Sequence, residues 1–295
     1  MIDAPNYYEI LNKAIKQKEV YIGPFYGEFG HLLIHVLPFL GYLHQKGIKI
    51  RYCGHEGQQD LLVDTDKKPI YTEYFALPPH FDKSVPEMND YRYVKDESVL
   101  KLADEWKETA KKSGLPFFDL SDPHNYRFVW WEWWFNNRYG KLYNIGRAYN
   151  PEQITEHAVA VYSRTKPLGT AQGAGEPFDI VKIVDIAAKY VDKVYVVGHP
   201  DQAHTINHPK VENIITMDNA SIIKAVSKCK AILSHNSGAA YMAKMLRIPG
   251  IVFHNGELAR FMWTIHCSDR WSKSPLTRAV NYDEIESTLK RICQK

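Results

Sequence analysis

The second half of the chain alternates short apolar runs with stretches whose apolar residues recur every three or four positions. HAVAVYSR, from His157, reads as a strand, FDIVKIVDIAAKYV as a helix, KVYVVGH as a strand and VENIITMD as a shorter strand. ASIIKAVSKC is then a helix, KAILSHN a strand, SGAAYMAKMLR a helix, IPGIVFHN a strand and DEIESTLKRICQ a closing helix. Alternation of this kind specifies a doubly wound α/β domain around a parallel sheet.

The N-terminal part carries a similar unit. KEVYIGPF reads as a short buried strand running into the turn residues Gly23, Pro24, Gly27 and Gly30. HLLIHVLPFLGYLHQKG has apolar residues at helical spacing and ends at Gly47, a C′ glycine, before the strand IKIRYCG. Strand, glycine-rich turn, helix and strand make a βαβ unit with a right-handed crossover. Residues 56 to 150 are crowded with aromatic, Pro and charged residues; there ESVLKLADEWKETAKKSG predicts an exposed helix ending at Gly114. The polar, Pro-containing GRAYNPEQ reads as a linker, so two domains are expected, 1–150 and 151–295, with no internal repeat.

Composition narrows the function class. At 295 residues, 45% hydrophobic and 24% charged, the chain is long enough for two cores. Its 37 Lys and Arg are dispersed among 34 Asp and Glu for a net charge of +3, so the basic stripe of a phosphate-backbone binder is absent and no nucleic-acid partner is expected. The four cysteines, Cys53, Cys229, Cys267 and Cys293, form no CxxC, which argues against a zinc site and for reduced thiols in a cytosol-like compartment. The first residues lack a basic cap followed by an apolar segment, and no run approaches 18 apolar residues. The expectation is a soluble, unsecreted cytoplasmic protein, with peripheral membrane contact left open.

The most informative stretch is ILSHNSGAAYMAKMLRIPGIVFHN, where a polar turn, Ser234, His235, Asn236, Ser237 and Gly238, separates a strand from a small-residue helix. In open parallel sheets ligands bind at the carboxyl ends of the strands. Hydroxyl and amide side chains there, with free N–H groups at a helix start near Ser237, suit a phosphate or a polyhydroxylated ligand. The alternative is that Asn236 or Ser237 is simply an N-cap. Ala239, Ala240 and Ala243 would hold that helix close to the sheet.

Taken together, DNASIIKAVSKCKAILSHNSGAAYMAKMLRIPGIVFHNG resembles the donor-site region of nucleotide-sugar glycosyltransferases of the GT-B fold. It is similar to the heptosyltransferase pattern of helix, apolar strand, Asp-Ser/Thr-Gly-Pro-x-His, small-residue helix and Pro, with Asn236 for the Asp, Ala239 for the Pro and Tyr241 where the His falls. It also resembles fucosyltransferases, in which an apolar strand leads into Asn-Ser. GPFYGEFGHLLIHVLPFLGYLHQKGIKIRYCG is similar to the glycine-rich loop and helix that open GT-B enzymes, with His31 where they carry a catalytic Asp or His and Glu28 in place of a glycine. The resemblance implies an α/β protein of GT-B fold, two Rossmann-like doubly wound domains facing a cleft, the first binding acceptor and the second the donor. It implies a glycosyltransferase for polysaccharide biosynthesis that moves a sugar from a nucleoside diphosphate sugar to a glycan or lipid-linked acceptor, inverting, with no metal and no cofactor.

Within that frame His31 or Glu28 is the general base, His31 having the near-neutral titration the task needs; helix capping and a solvated loop carboxylate are their alternatives, and packing is expected of His35. Arg164 and Lys166, in VYSRTKPLGTAQGAGE, would meet the diphosphate, under a loop whose Gly169, Gly173 and Gly175 allow closure. Gly198 and His199 stand at another strand end, where the base or ribose is contacted, and Asp218 and Asn219 rank beside them. In VWWEWWF, Trp131 and Trp133 are either core or an acceptor-binding surface. Asp64-Thr65-Asp66 matches the metal-binding DxD of a different glycosyltransferase fold and is read as a turn. A pyruvyl transferase or sugar-nucleotide epimerase of the same architecture, or a non-catalytic sugar or nucleotide binder, would fit the same pattern.

Overall fold

A computed structural model describes residues 7–26, 32–64, 66, 68–78, 96–122, 129, 155–163, 178–200, 203–216, 218–235, 238–253 and 276–294. The chain divides into two compact units, Met1–Tyr143 and Asn144–Lys295.

The first unit is built on a four-stranded, all-parallel sheet of order β3-β2-β1-β4. Helix α1 (Tyr7–Gln17) leads into β1 (Glu19–Ile22). A π-helical turn, Leu32–Val36, runs directly into α2 (Leu37–Gln45), followed by β2 (Lys49–His55), β3 (Glu73–Leu77), α3 (Glu97–Lys112) and β4 (Phe117–Phe118). The helix expected over HLLIHVLPFLGYLHQKG is therefore wound in two pitches. Pro38 sits in the first turn of its α-helical part, where a missing N–H costs nothing, and Gly47 takes the φ of 67° expected after a helix end. Leu37, Phe39, Leu40 and Leu43 are buried. A second packing group brings Trp106 of α3 against Tyr21 (5.1 Å between ring centroids) and Phe75 (5.4 Å).

The second unit carries six parallel strands in the order β10-β9-β8-β5-β6-β7. In chain order these are β5 (Ala158–Tyr162), α4 (Ile180–Ala188), β6 (Lys193–Gly198), β7 (Val211–Ile215), α5 (Asn219–Val226), β8 (Ala231–His235), α6 (Gly238–Leu246), β9 (Gly250–Phe253), β10 (Leu276–Ala279) and α7 (Tyr282–Cys293). Every residue of β5, β8 and β9 is buried, as strands covered on both faces require. One face packs Val159, Val161, Leu233, Ile251 and Phe253 against Ile183, Val184 and Ala187 of α4 and Ile285 and Leu289 of α7. Each such aliphatic side chain contributes about 1.5–3 kcal/mol on burial. Asp179, Asp218 and Asn281 cap α4, α5 and α7 with their side chains. On the other face α6 lies tight to the sheet through Ala239, Ala240 and Ala243, all fully buried. A Cβ on Gly250 would come 3.2 Å from the Ala243 Cβ.

At the amino end of this sheet, the Tyr195 hydroxyl donates to Glu156, which also pairs with Lys228 at 3.3 Å. That hydrogen bond holds the Glu156 carboxyl below its usual value, and burial together with the same bond pushes the Tyr195 phenol up to about 12. The lowered carboxyl adds stability above its ordinary value near pH 4, and loses it as pH falls through the folded value; the raised phenol adds stability below about pH 10 and loses it as pH climbs toward 12. Tyr195→Phe should therefore cost about 1 kcal/mol at pH 7, with the gap to wild type narrowing at pH 4, in urea titrations at the two pH values.

In the first unit Gly23 has φ 114°, and a Cβ there would stand 2.4 Å from the carbonyl oxygen of Cys53. Gly23→Ala is expected to lower the stability of that unit by about 3 kcal/mol, combining backbone strain with overlap against a rigid carbonyl.

Candidate functional site

Counted from its outer strand β7, the second sheet runs 3-2-1-4-5-6 within the unit, the order of dinucleotide-binding domains, and its reversal point lies between β5 and β8. The helices that follow these two strands, α4 and α6, pack on opposite faces of the sheet, the arrangement in which such sheets take ligands at the carboxyl ends of the strands. The first sheet repeats the start of this order, 3-2-1-4, with its reversal between β1 and β4.

At the second unit's reversal point β5 ends at Tyr162 and Ser163 follows. Ser163 is fully buried; its hydroxyl donates to the His204 carbonyl (3.1 Å) and accepts the His204 N–H (3.0 Å), while its own N–H donates to the Val197 carbonyl (3.2 Å). That residue therefore ties the chain after β6 to the end of β5. Gly198 makes the approach possible: a Cβ on it would be 2.6 Å from the Ala203 Cβ and 3.2 Å from the Ser163 carbonyl. His199, next in the chain, is 8% exposed. The clamp formed by Ser163 was missed in the sequence, where the serine reads only as the end of a strand.

On the other side of the reversal point β8 ends in Ser234 and His235, and α6 starts at Gly238. Ser234 is 1% exposed, and its hydroxyl has no hydrogen-bond partner among the described residues. His235, read as part of the polar turn, lies on the opposite face of the strand with its ring 4.5 Å from Phe253 and 6.4 Å from Phe178. Asp218 spends its carboxylate on capping α5, accepting from Ala220 N–H (3.0 Å) and from the Ser221 hydroxyl, and Asn219 is buried. Gly198, His199, Ser234 and Gly238 thus gather at the carboxyl ends of adjoining strands, while His235 and Asp218 are turned to packing and capping. Arg164, Lys166, Asn236, Ser237, Trp131 and Trp133 lie outside the described residues.

In the first unit the chain leaves β1 through Gly23, whose N–H donates to the Phe118 carbonyl (3.0 Å), and Phe25, whose N–H donates to the Cys53 carbonyl (3.1 Å). Tyr26 follows, its phenol raised by burial and then by the nearby Cys53, Asp104 and Asp119. Asp119, just past β4, accepts both the N–H (2.9 Å) and the hydroxyl (2.5 Å) of Ser121. Glu28 and His31 lie outside the described residues; the π-helical turn that begins at Leu32 follows them directly, and His35 within it is buried at 2% exposure, in keeping with a packing role. Asp64 accepts the N–H groups of Asp66 (2.8 Å) and Lys68 (2.9 Å), so the DxD tripeptide starts a side-chain-closed turn. Among the described residues no group of His, Cys, Asp and Glu is placed to hold a metal ion, and no helix is long and apolar enough to cross a membrane.

Chemically, this end of the second sheet offers a shielded hydroxyl and the start of a nine-residue helix whose first N–H groups have no partner within the helix. Such a start favours negative charge. Gly198→Ala should push residues 203 and 204 off Ser163 and cost about 2 kcal/mol, read as a lowered Tm and faster amide exchange at His204.

No family model matches the chain, and no curated protein matches it. Solved structures do. The chain is similar to the ADP-heptose LPS heptosyltransferase II of E. coli at a TM-score of 0.54 and 13% identity, covering 94% of this chain and 98% of that one. It is similar to the E. coli heptosyltransferase WaaC with ADP at 0.54 and 10%, covering 94% and 98%. It is also similar to a glycosyl transferase of family 9 from Veillonella parvula at 0.50 and 12%, covering 92% and 89%. Over nearly its whole length, then, the chain has the fold of these glycosyltransferases, the GT-B architecture of two Rossmann-like domains.

Proposed function

We propose that this protein is a glycosyltransferase that moves a sugar from a nucleoside diphosphate sugar to a hydroxyl of a glycan or lipid-linked acceptor, with inversion and without a metal ion. The observation that carries the reading is the combination of strand order and fold likeness: each unit has its reversal point where Rossmann-like domains bind ligands, and the solved proteins of the same fold include one with ADP.

The second unit, in this reading, binds the donor. Its diphosphate lies at the turn before α6, Ser234 to Gly238, against Arg164 and Lys166, and its nucleoside meets Gly198 and His199. The first unit, through the glycine-rich loop after β1, supplies the base, His31 or Glu28, and Trp131 and Trp133 offer sugar-stacking surface to the acceptor. The base removes the proton from the acceptor hydroxyl, the oxygen attacks the anomeric carbon from the face opposite the diphosphate, and the nucleoside diphosphate leaves with its bonding electron pair. Stabilising that leaving charge by preorganised N–H groups and Arg164 supplies several kcal/mol of the barrier reduction, on the order of 3 kcal/mol for each well-placed donor.

The test is a thermal-shift panel of nucleoside diphosphates and sugar nucleotides in the presence of EDTA. A ligand that binds only the folded chain raises its Tm, by about 2.7 kcal/mol of added stability at a hundred times Kd. ADP, or another nucleoside diphosphate of one base class, is expected to shift the wild type, and Arg164→Ala to lose most of that shift and of donor turnover. Near-normal turnover in Arg164→Ala, or binding that needs a divalent ion, would overturn the assignment.

A further inference from the structure

We propose that Arg278 is an anion-binding residue of the second unit, the cation that meets phosphate charge at the start of α6.

The placement follows from register. Ile232, Gly250 and Leu276 are partners across β8, β9 and β10, and a Cβ on Gly250 would lie 3.2 Å from the Ala243 Cβ, 3.6 Å from Ile232 and 2.4 Å from Leu276. Those three positions therefore form one row beneath α6. Two residues further along each strand come Ser234, Val252 and Arg278, which pair in the same way and, by the two-residue repeat of a strand, face the same side. That step is about 6.6 Å toward the carboxyl ends. Helix α6 links β8 to the adjacent parallel strand β9 and so runs back against them; the same distance is roughly four residues of helix, from Ala243 to Ala239. Arg278 and Ser234 are thus level with the first turn of α6, which begins at Gly238.

Among the described residues neither the Arg278 Nε nor the Ser234 hydroxyl has a hydrogen-bond partner. The Nε of Arg278 is shielded from solvent and meets no acceptor, and no carboxylate among the described residues pairs with its guanidinium. Glu284, in the first turn of α7, is engaged with the Val280 N–H (3.0 Å) and the Asn281 side-chain amide (3.3 Å). Ser234, 1% exposed, has an unpartnered hydroxyl in the same row. A shielded guanidinium N–H and a shielded hydroxyl, both unsatisfied, are a standing cost to the folded chain, because burial removes water that nothing replaces. Set beside the first turn of a helix, they have the chemistry of an anion site: a delocalised cation, a hydroxyl donor and a favourable helix dipole. Identifying the anion as the diphosphate of a nucleotide rests on the function proposed above; the site itself does not.

The experiment is calorimetric titration of the full chain with ADP and, separately, with inorganic pyrophosphate, in EDTA, for wild type, Arg278→Met and Arg278→Lys, with the Tm of each protein without ligand. Arg278→Met is expected to weaken both ligands about tenfold or more, Arg278→Lys to recover part of the loss, and the ligand-free Tm of Arg278→Met to equal or exceed that of wild type, because the guanidinium has no bond to lose. A structural arginine gives the reverse, a lower ligand-free Tm with affinity kept. Affinities of Arg278→Met within twofold of wild type, or a fall in its ligand-free Tm, overturn the inference while leaving nucleotide binding by the wild type, and the transferase reading, in place. Binding of pyrophosphate but of no nucleoside diphosphate, lost in Arg278→Met, upholds the anion site and rejects the transferase reading. A wild type that binds neither ligand rejects both.

Discussion

The parallel pairing of β5 with β8, Val159 to Ala231 through Val161 to Leu233, is the contact on which the second unit turns. These strands are far apart in sequence, and each is followed by a crossover that must be right-handed. One crossover leads outward to β6 and the other outward to β9, so they are forced to opposite faces of the sheet. A crevice at the carboxyl ends between them is a consequence of topology before any side chain is chosen. Pairing of β1 with β4 imposes the same arrangement on the first unit, where it rests on two residues of β4, Phe117 and Phe118.

Small residues then decide how closely the chain can pack around these strands. Gly23 lies under the Cys53 carbonyl, Gly198 against Ala203 and the Ser163 carbonyl, and Gly250 under Ala243. In the first two cases a side chain would press on a backbone carbonyl, and in the third on the side chains of Leu276 and Ala243. The alanines of α6 do the same for a helix, bringing its first turn down to the level of Ser234 rather than holding it a side chain's length above the sheet.

What could be read in the sequence, and what could not, follows from how each element is buried. Strands β5, β6, β8 and β9 are interior, so they are continuous apolar runs, and the helices between them have one apolar face at helical spacing; all were legible. Of the outer strands only β7 was legible, in VENIITMD. EYFAL of β3 and LTRA of β10 have solvent on one edge and mix polar with apolar positions, and β4 is only two residues long. Their pairing is decided by tertiary contact, which a local pattern does not carry. The change of pitch at Leu32–Val36 was invisible for the same reason, since LLIHV suits an α-helix equally well. At the candidate site the turn after β8 was legible by its polarity, yet the strand's alternation, not its composition, sends His235 into the Phe178 and Phe253 packing and Ser234 toward α6. Asp218 looked like a ligand contact because aspartate at a strand end is common to binding loops and to N-caps; its hydrogen bonds to Ala220 and Ser221 resolve the ambiguity in favour of the cap.

The two ends of the sheets differ in how completely their polar groups are matched. At the amino end of the first sheet Arg51 bridges Glu19 and Glu73, each at 2.8 Å, and at the amino end of the second Glu156 gathers Tyr195 and Lys228. Exposed pairs of that kind contribute at most about 1 kcal/mol each, but they leave no charge without a counterpart. Near the carboxyl ends of β8 and β10 the balance is reversed: a hydroxyl and a guanidinium N–H are shielded from water and meet no partner among the described residues. Selection for stability alone would remove them, since an alanine at 234 or a neutral residue at 278 would spare the fold the cost. Polar groups retained unsatisfied at the end of the sheet where ligands bind, and satisfied at the end where they do not, are what a protein that completes its hydrogen bonding with a bound molecule is expected to show.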